Sequence, residues 1–372
     1  MFTVSRRGLL RRLFALAGTA IGAEWLAACS PAAQPTPTQP PTAVPPTVPP
    51  TLTPVPAPTG TPTPKPVPSK PEIVKAYPDG PSTVVHTRHP KVWDGENLVP
   101  GALRQMLDAS ITALTGLSDA RTAWAALFQP HERIAVKVNV FRNSLVWTHL
   151  ALVDALTDSL RGAGVPGEQI VVYDHLTSEF ETAGYPVNEG GPGVQYYGSD
   201  GRHTGGWTVA GRPVRLSNVL LECDALINVP ILKVHGMSGI SYALKNHYGT
   251  VSAPQDLHAP RLNMSIAELN ALPAIRDRTR LVIGDALAIC LQGADSWPYW
   301  REAAPSDSIL LGYDPVAVDT LGLQLFSQAL SASGGDPTVA QAKAGAWLAA
   351  AAEAGVGTND EANIDLIGVA LE

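Results

Sequence analysis

The chain has 372 residues, which is long enough for one large α/β domain or two coupled lobes besides a targeting segment. Only 16% of the residues are charged, the formal net charge at pH 7 is −7, and there is no basic run. This balance is poorly suited to neutralising phosphates along a duplex, so we expect no nucleic-acid partner.

The first 28 residues have the features of an export signal. Arg6 and Arg7 precede an apolar run, residues 13–23, that is too short to span a bilayer. The sequence SRRGLLR around these arginines resembles the twin-arginine export motif. The alternative is an uncleaved membrane helix, but Glu24 interrupts the apolar stretch and no second hydrophobic span follows. We therefore expect residues 1–28 to be a cleaved signal peptide.

The stretch LAAC, which ends at Cys29, resembles the lipobox of lipoproteins. We expect the mature protein to be exported and lipid-anchored through Cys29 to the extracytoplasmic face of a bacterial membrane. Residues 30–71 contain 17 of the 34 prolines, interleaved with threonine and alanine, so they cannot bury a core. Residues 29–71 are therefore predicted to be a disordered Pro/Thr-rich tether, followed by an α/β domain over residues 72–372.

The two remaining cysteines, Cys223 and Cys290, belong to no CxxC or similar cluster. The pattern supplies no ligand set for an iron–sulfur cluster or a structural zinc, so we do not expect an iron–sulfur cofactor, and the cofactor stays unknown. The cysteines could form a disulfide, but two small buried thiols are the favoured interpretation.

In the folded part, short apolar runs alternate with amphipathic stretches, which predicts a largely parallel or mixed sheet flanked by helices. Two helices are predicted, over residues 150–164 and 315–330, and a hairpin over residues 207–216. Five apolar runs are predicted strands, and each ends in a polar residue: Asn139, Asp174, Lys233, Asp285 and Asp314.

Ligands of open parallel sheets bind beyond the carboxyl ends of the strands, where loops converge. Each polar residue at a strand end could simply form a turn or cap a helix. All five together, including a lysine that caps nothing, favour a shared site.

The stretch VPILKVHGMSGISYALKNHYGT, residues 229–250, concentrates charge beyond the third run. Lys233 and His235 point to the same side of an extended chain, and a helix is predicted from Ser238 toward residue 249. That helix would place Lys245 toward Lys233, and His247 among apolar neighbours as a core histidine. Two lysines and a histidine would form a positive pocket that attracts a small carboxylate or phosphate.

The lysines permit two interpretations. Close cationic neighbours and partial burial would lower the pKa of a lysine and make it a base or a Schiff-base nucleophile. Alternatively, each lysine pairs with Asp174, Asp285 or Asp314 and only fixes loops.

Several segments resemble the DUF362 family of uncharacterised proteins: KVN at 137–139, TH at 148–149, ILKVHGMSGISYALKNHYG, IGDAL, DPVAVD and the closing EAGVGTNDEANIDLIGV. The resemblance covers nearly all of residues 83–372. It implies an α/β protein, often exported, and some members carry ferredoxin-type cysteine clusters, which this chain lacks. The matching family positions are Lys137, Asn139, His149, Lys233, His235, Lys245, Asn246, Asp285, Asp314 and Asp319.

The first hypothesis for the function is an enzyme acting on a small anionic molecule, with Lys233 and Lys245 binding or activating it and His235 carrying the proton. The expected substrate-binding residues are Lys137, Asn139, His149, Asp174, Asn246, Asp285 and Asp314. Asp319 lies about 140° around its helix from Asp314, so it should serve that helix or a nearby loop.

Two further hypotheses stay open. One is a tethered binding protein that uses the same pocket without turnover. The other is a metal site drawing on His149, His235, His258 and an aspartate, although no HxxxH or HExxH spacing supports it.

Overall fold

The structure, a computed structural model, describes residues 65–141, 146–291 and 303–372, and these belong to one compact unit. The predicted signal peptide, Arg6, Arg7, Cys29 and nearly all of the predicted tether lie outside the described residues. Lys65 falls within the predicted tether, yet its Nζ donates to Asp224 Oδ2 at 2.7 Å and its carbonyl accepts from Arg278 at 2.6 Å. Lys65 therefore contacts the folded part of the chain.

The described strands and helices alternate along the chain as predicted. The strands are β1 Ser82–Arg88, β2 Trp93–Asp94, β3 Asn97–Leu98, β4 Ile134–Lys137, β5 Ile170–Asp174, β6 Gln195–Gly198, β7 His203–Val209, β8 Arg212–Ser217, β9 Ala225–Asn228, β10 Ile231–His235, β11 Gly239–Ser241, β12 Thr279–Cys290, β13 Ala303–Gly312 and β14 Ile364–Ala370. The helices are α1 Pro100–Thr115, α2 Ala120–Leu127, α3 Leu150–Gly162, α4 Thr177–Thr182, α5 Asn218–Glu222, α6 Ala243–Asn246, α7 Leu262–Ala271, α8 Pro273–Arg276, α9 Pro315–Ala332 and α10 Thr338–Glu353.

One large mixed sheet carries the fold. Its order is β14-β1-β13-β12-β9-β4-β5-β6, and β10 pairs with both β12 and β11. The strands β12, β9, β4, β5 and β6 are parallel neighbours, and β10 is parallel to β12. In contrast, β13 runs antiparallel to both β1 and β12. This arrangement confirms the predicted α/β class with a largely parallel, mixed sheet.

Helices cover both faces of the sheet. Successive residues of a central strand point to opposite faces, and both are apolar, so each face needs a cover. In β4, Ala135 faces a core built with α7, α9 and α10, whereas Val136 faces a core built with α1, α2 and α3. Both side chains are fully buried, as expected for a strand covered on two sides.

The two helices with the clearest periodicity form as predicted, namely α3 and α9. The predicted hairpin is also confirmed, as the antiparallel pair β7–β8. The run ALINVPILK is instead divided into β9 and β10, with Val229 and Pro230 between them.

The predicted helix from Ser238 to residue 249 is wrong in its first half. Gly239, at φ +81°, turns the chain back, and β11 then pairs with β10. A Cβ on this glycine would collide with the carbonyl of Ala340 in α10, so the turn requires glycine. Helical structure begins only at Ala243, as α6, and continues as a 3₁₀ helix over His247–Thr250.

Candidate functional site

A cavity of about 450 Å³ lies at the edge of the sheet where the parallel strands end. Its walls come from strand ends, from α4, from α6 and from the turns that follow α6. The lining residues are Asn139, Phe141, Asp174, His175, Glu179, Lys233, His235, Ser241, Lys245, Tyr248, Gly249, Pro254, Gln255 and His258.

The floor of the cavity contains a buried ion pair made by the last residues of two adjacent strands. Lys137 Nζ, at the end of β4, lies 2.6 Å from Asp174 Oδ1, at the end of β5. The same ammonium donates to Val138 O at 2.7 Å, and Asp174 Oδ2 accepts from Val140 N at 2.8 Å. Burial lowers the pKa of Lys137, although Asp174 opposes that change. Lys137 therefore pairs with an aspartate and fixes the strand ends.

Gly249 lies directly above this ion pair. A Cβ at this position would collide with Asp174 Oδ1 and would come within 2.7 Å of Lys137 Nζ. The 3₁₀ helix after α6 can cover the pair only because residue 249 has no side chain.

A network of amides connects the ion pair to the second lysine. Asn139 Oδ1 accepts from Lys233 Nζ at 2.7 Å, and Asn139 Nδ2 donates to Asn246 Oδ1 at 3.4 Å. Asn246 Nδ2 in turn donates to Asn228 Oδ1 at 2.7 Å and to Lys137 O at 3.1 Å. Asn139 thus lies between the strand ends and the cavity, whereas Asn246 is buried behind the wall.

Lys233 reaches the cavity from β10. Besides Asn139, its ammonium lies 3.4 Å from Val146 O. The side chain is almost fully buried, and this burial lowers the pKa of Lys233 to about 7. The amine is therefore close to half protonated near neutral pH.

Lys245 reaches the same cavity from α6. Its Nζ lies 3.0 Å from His258 Nε2 and 3.6 Å from the centroid of the Tyr248 ring. Burial, followed by repulsion from Lys233, lowers the pKa of Lys245 to about 7. Within the described ranges no carboxylate forms an ion pair with Lys245, so its charge is balanced only by a ring face and a neutral nitrogen.

The two histidines beside Lys245 are neutral, and their hydrogen bonds define the tautomers. His258 Nδ1 lies 3.0 Å from Pro254 O, so Nδ1 carries the proton and Nε2 presents a lone pair to Lys245. His235 Nδ1 accepts from the backbone N–H groups of residues 237 and 238 at 3.2 and 3.3 Å, so its proton is on Nε2. Burial lowers the pKa of His258 to about 4 and that of His235 to about 2. The rings stack at 5.7 Å.

His149 and Asp285 form a separate pair outside this cavity. His149 Nδ1 and His149 N both lie 2.8 Å from Asp285 Oδ2, and Trp93 contacts the imidazole edge-on at 5.6 Å. Burial opposes protonation of His149, but the charge and hydrogen bond of Asp285 outweigh it and raise the pKa of His149. The prediction that these two residues share the lysine pocket is wrong, because the Asp285 side chain points to the face of the sheet that packs against α3.

Asp314 lies at the opposite edge of the sheet. It follows β13, which is antiparallel, so its strand ends where the parallel strands begin. Its carboxylate caps α9 through Val316 N at 2.8 Å and Ala317 N at 3.0 Å, and it accepts from Ser82 Oγ at 2.6 Å. The prediction that Asp314 binds the same ligand is therefore wrong. A second cavity of about 350 Å³, at that edge, has Asp314 in its wall.

Two other predictions about single residues are confirmed. Asp319 accepts from Ala243 N at 2.6 Å and Leu244 N at 2.9 Å, so it serves a neighbouring segment, as expected. His247 is a core histidine, since it is 1% exposed and its Nδ1 lies 3.2 Å from Thr250 Oγ1.

Several residues of the cavity wall were not expected from the sequence. The sequence suggests His258 only as a metal ligand, yet it contacts Lys245 from a turn thirteen positions away. His175 and Glu179 were missed, although they follow Asp174 directly and enter α4, where a loop beyond a parallel strand is expected to bind.

The described residues give little support for a resident metal. Across residues 65–141, 146–291 and 303–372, no three His, Cys, Asp or Glu side chains converge as a ligand set. His149 points elsewhere, and the stacking of His235 on His258 does not aim both rings at one point. Cys223 and Cys290 are both buried and form no disulfide with each other, in agreement with the favoured interpretation.

These observations define the class of the protein. It is an α/β protein with a lysine-lined pocket at the carboxyl ends of its parallel strands. Residues 134–324 match DUF362, described as a domain of unknown function, and the chain belongs to that family. The match includes both lysines and His258, but is narrower than the resemblance expected over residues 83–372.

Two solved structures are distantly similar to this chain. The lactate racemase apoprotein from Thermoanaerobacterium thermosaccharolyticum has 11% identity and a TM-score of 0.38, over 65% of this chain and 57% of that one. A protein from Thermotoga maritima has 15% identity and a TM-score of 0.38, over 65% of this chain and 60% of that one. The chain thus spans less than two thirds of either protein, and a likeness this distant carries no functional argument. No curated protein is significantly similar to the sequence.

Proposed function

We propose that this protein is an enzyme that binds a small anionic molecule in the cavity between Lys233 and Lys245. The observation that carries the proposal is the pair of buried lysines, whose pKa values burial lowers to about 7, on the walls of one 450 Å³ cavity. A bound anion would compensate both ammonium groups at once, which explains why two costly cations are held together.

The chemistry that these groups support is proton transfer or nucleophilic attack. A lysine that is half protonated near pH 7 can act as a base, an acid or an amine nucleophile. His258 accepts from Lys245 through Nε2 and so can exchange protons with it. His235, the proton carrier expected from the sequence, holds its proton on Nε2 and is a weaker base than His258, because burial lowers its pKa further.

Binding of a set of small carboxylates and phosphates to the full chain tests the proposal, with calorimetry as the readout. Lys233→Met and Lys245→Met should each weaken binding of the preferred anion at least tenfold, a loss of about 1.4 kcal/mol or more. Lys91→Met, at an exposed lysine, is the matched control and should bind like the natural protein. Anion binding that is unchanged in both pocket variants would refute the site.

The runner-up is a binding protein that uses the same pocket without turnover. Incubating the protein with a metabolite extract separates the two functions. A compound whose mass changes with the natural protein, but not with Lys245→Met, identifies an enzyme. Retention of a compound without any mass change identifies a binder.

We further propose that the protein acts at the extracytoplasmic face of a bacterial membrane. The support is sequence alone: the twin-arginine motif at Arg6 and Arg7, and the lipobox ending at Cys29. Within the described residues, no helix is both long and apolar enough to cross a bilayer. Incorporation of labelled palmitate should disappear in Cys29→Ala, and labelling that persists in this variant would exclude an anchor at this cysteine.

A further inference from the structure

We infer that Lys245 is the nucleophile of the site and that it forms an imine with the carbonyl carbon of a small oxo acid, whose carboxylate is bound by Lys233. This inference rests on the proposed function and adds the class of ligand. The geometry points to different tasks for the two lysines, because their surroundings differ.

Lys233 is held as an anchor. Its Nζ donates to Asn139 Oδ1 at 2.7 Å and lies 3.4 Å from Val146 O, and both are oxygen acceptors that favour an ammonium. Asn139 is itself tied to the strand ends through Asn246. An ammonium in this position can bind a carboxylate, but these oxygen acceptors oppose the loss of the proton that would free the nitrogen lone pair for attack.

Lys245 has the surroundings of a nucleophile. Its Nζ faces an imidazole lone pair at 3.0 Å, which can remove a proton from it. The Tyr248 ring lies 3.6 Å away and stabilises a cation on either side of the reaction, first the ammonium and then the protonated imine. The side chain is 5% exposed and lies on the cavity wall, so a product imine would be kept from bulk water.

The cavity favours a monoanion over a phosphate dianion. Glu179 also lines its wall and would repel a second negative charge, whereas the charge of Asp174 is already compensated by Lys137. Once the Lys245 amine is neutral, Lys233 is the cation that remains on the described wall for the ligand's charge. A ligand with a single carboxylate next to a ketone or aldehyde therefore matches the one positive charge of Lys233.

The reaction balances with His258 as the only proton carrier. His258 Nε2 takes one proton from the Lys245 ammonium, and the freed amine attacks the carbonyl carbon. The new C–N bond forms as the C=O π electrons move to oxygen, which takes a second proton from the nitrogen. His258 then returns its proton to the hydroxyl, the C–O bond breaks, and water leaves. The third proton stays on the imine nitrogen.

Reductive trapping tests this inference on the full chain. The protein is incubated with pyruvate and sodium cyanoborohydride, which reduces an imine to a stable secondary amine, and the modified residue is located by peptide mass spectrometry. We expect one adduct per chain, on Lys245, and none at that position in Lys245→Arg. Adducts spread over exposed lysines, or located on Lys233, would overturn the assignment.

Two variants separate the roles of the anchor and the proton carrier. Lys233→Met should lose trapping of pyruvate at least tenfold but keep trapping of propanal, which has no carboxylate to bind. His258→Gln should slow trapping about 100-fold, as expected for loss of a general acid–base, and should flatten its pH profile. A His258→Gln variant that traps at the natural rate would overturn the proton-carrier role.

The outcomes also distinguish this inference from the proposed function. In one outcome, pyruvate or another carboxylate binds in a manner that depends on Lys233 without forming an adduct. That result would support the proposed anion site and refute the imine on Lys245. If no carboxylate binds and no adduct forms, both the anion site and the imine on Lys245 are refuted.

Discussion

Lys245 is a buried cation for which the described residues supply no carboxylate, so replacing it with methionine should stabilise the fold. The amine has a pKa of 10.5 in its reference state, and burial lowers the pKa to about 7 in the folded protein. At ~1.4 kcal/mol per pH unit, holding the ammonium in the core costs about 5 kcal/mol below pH 7. The hydrogen bond to His258 and the contact with the Tyr248 ring would be lost, at about 1 kcal/mol each. Lys245→Met should therefore raise the free energy of unfolding by about 2–3 kcal/mol at pH 6.

The sign of the pH dependence follows from the same difference in pKa. Between pH 7 and 10 the unfolded chain holds the Lys245 proton and the folded chain has released it, so the natural protein gains stability as the pH rises. Lys245→Met lacks this part of the rise in the free energy of unfolding. The difference in free energy of unfolding between the variant and the natural protein should therefore shrink steadily toward pH 10. Lys233 contributes a similar rise in both proteins, because burial lowers its pKa to the same region.

Urea unfolding at pH 6, 8 and 9.5 measures both effects. Lys91→Met is the matched control, since Lys91 is exposed, and it should change the free energy of unfolding by no more than about 0.5 kcal/mol. A Lys245→Met variant that is less stable than the natural protein at pH 6 would refute the reasoning. So would an advantage that stays constant up to pH 9.5.

Other parts of the fold give further predictions. Gly249→Ala should destabilise the protein by about 2–4 kcal/mol in thermal unfolding, because its methyl group would displace Asp174; an effect below about 0.5 kcal/mol would contradict the close approach. Glu132→Ala should cost about 3–5 kcal/mol in urea, because Arg280, which binds Glu132 in a bidentate pair at 2.7 and 2.9 Å, would remain buried without its partner. A loss under about 1 kcal/mol would show that water replaces the carboxylate.

The sequence predicted the edge of the sheet at which the site lies, and the reason is the parallel arrangement of its strands. Lys137 and Asp174 end neighbouring strands, so their side chains had to meet once β4 and β5 ran in the same direction. Lys233 joins them because β10 is parallel to β12. For such strands, a polar residue at the end of an apolar run is enough to predict where side chains gather.

The position of Asp314 could not be predicted in this way, because an apolar run does not reveal the direction of its strand. β13 is preceded by residues outside the described part, and its antiparallel direction is set by pairing with β1 and β12. Asp285 was misplaced for a different reason, since β12 continues five residues beyond it to Cys290 and the aspartate is not at the strand end. Strand direction and length depend on partners that are distant in sequence.

The contact between His258 and Lys245 also depends on tertiary packing that the sequence does not reveal. The histidine follows a 3₁₀ helix, Pro254–Leu257, and its Nδ1 bonds back to the carbonyl of Pro254. That local bond fixes the tautomer, but only the packing of α6 against the following turns brings Nε2 to Lys245. No spacing in the sequence relates the two residues, so the partner of the proposed nucleophile could be found only in three dimensions.

Lys137 and Lys245 are both buried, but they differ in the free energy that burial of their charge costs. Lys137 is buried with Asp174 and two further hydrogen-bond acceptors, Val138 O and Asn246 Oδ1, so its charge is compensated and it holds the strand ends together. Lys245 is comparably buried, yet the described residues give it only His258 and the Tyr248 ring. A methionine would fill its place at lower free energy. A fold that retains the costlier residue gains something other than stability from it, and in the proposed function an anion bound in the cavity would supply the missing negative charge.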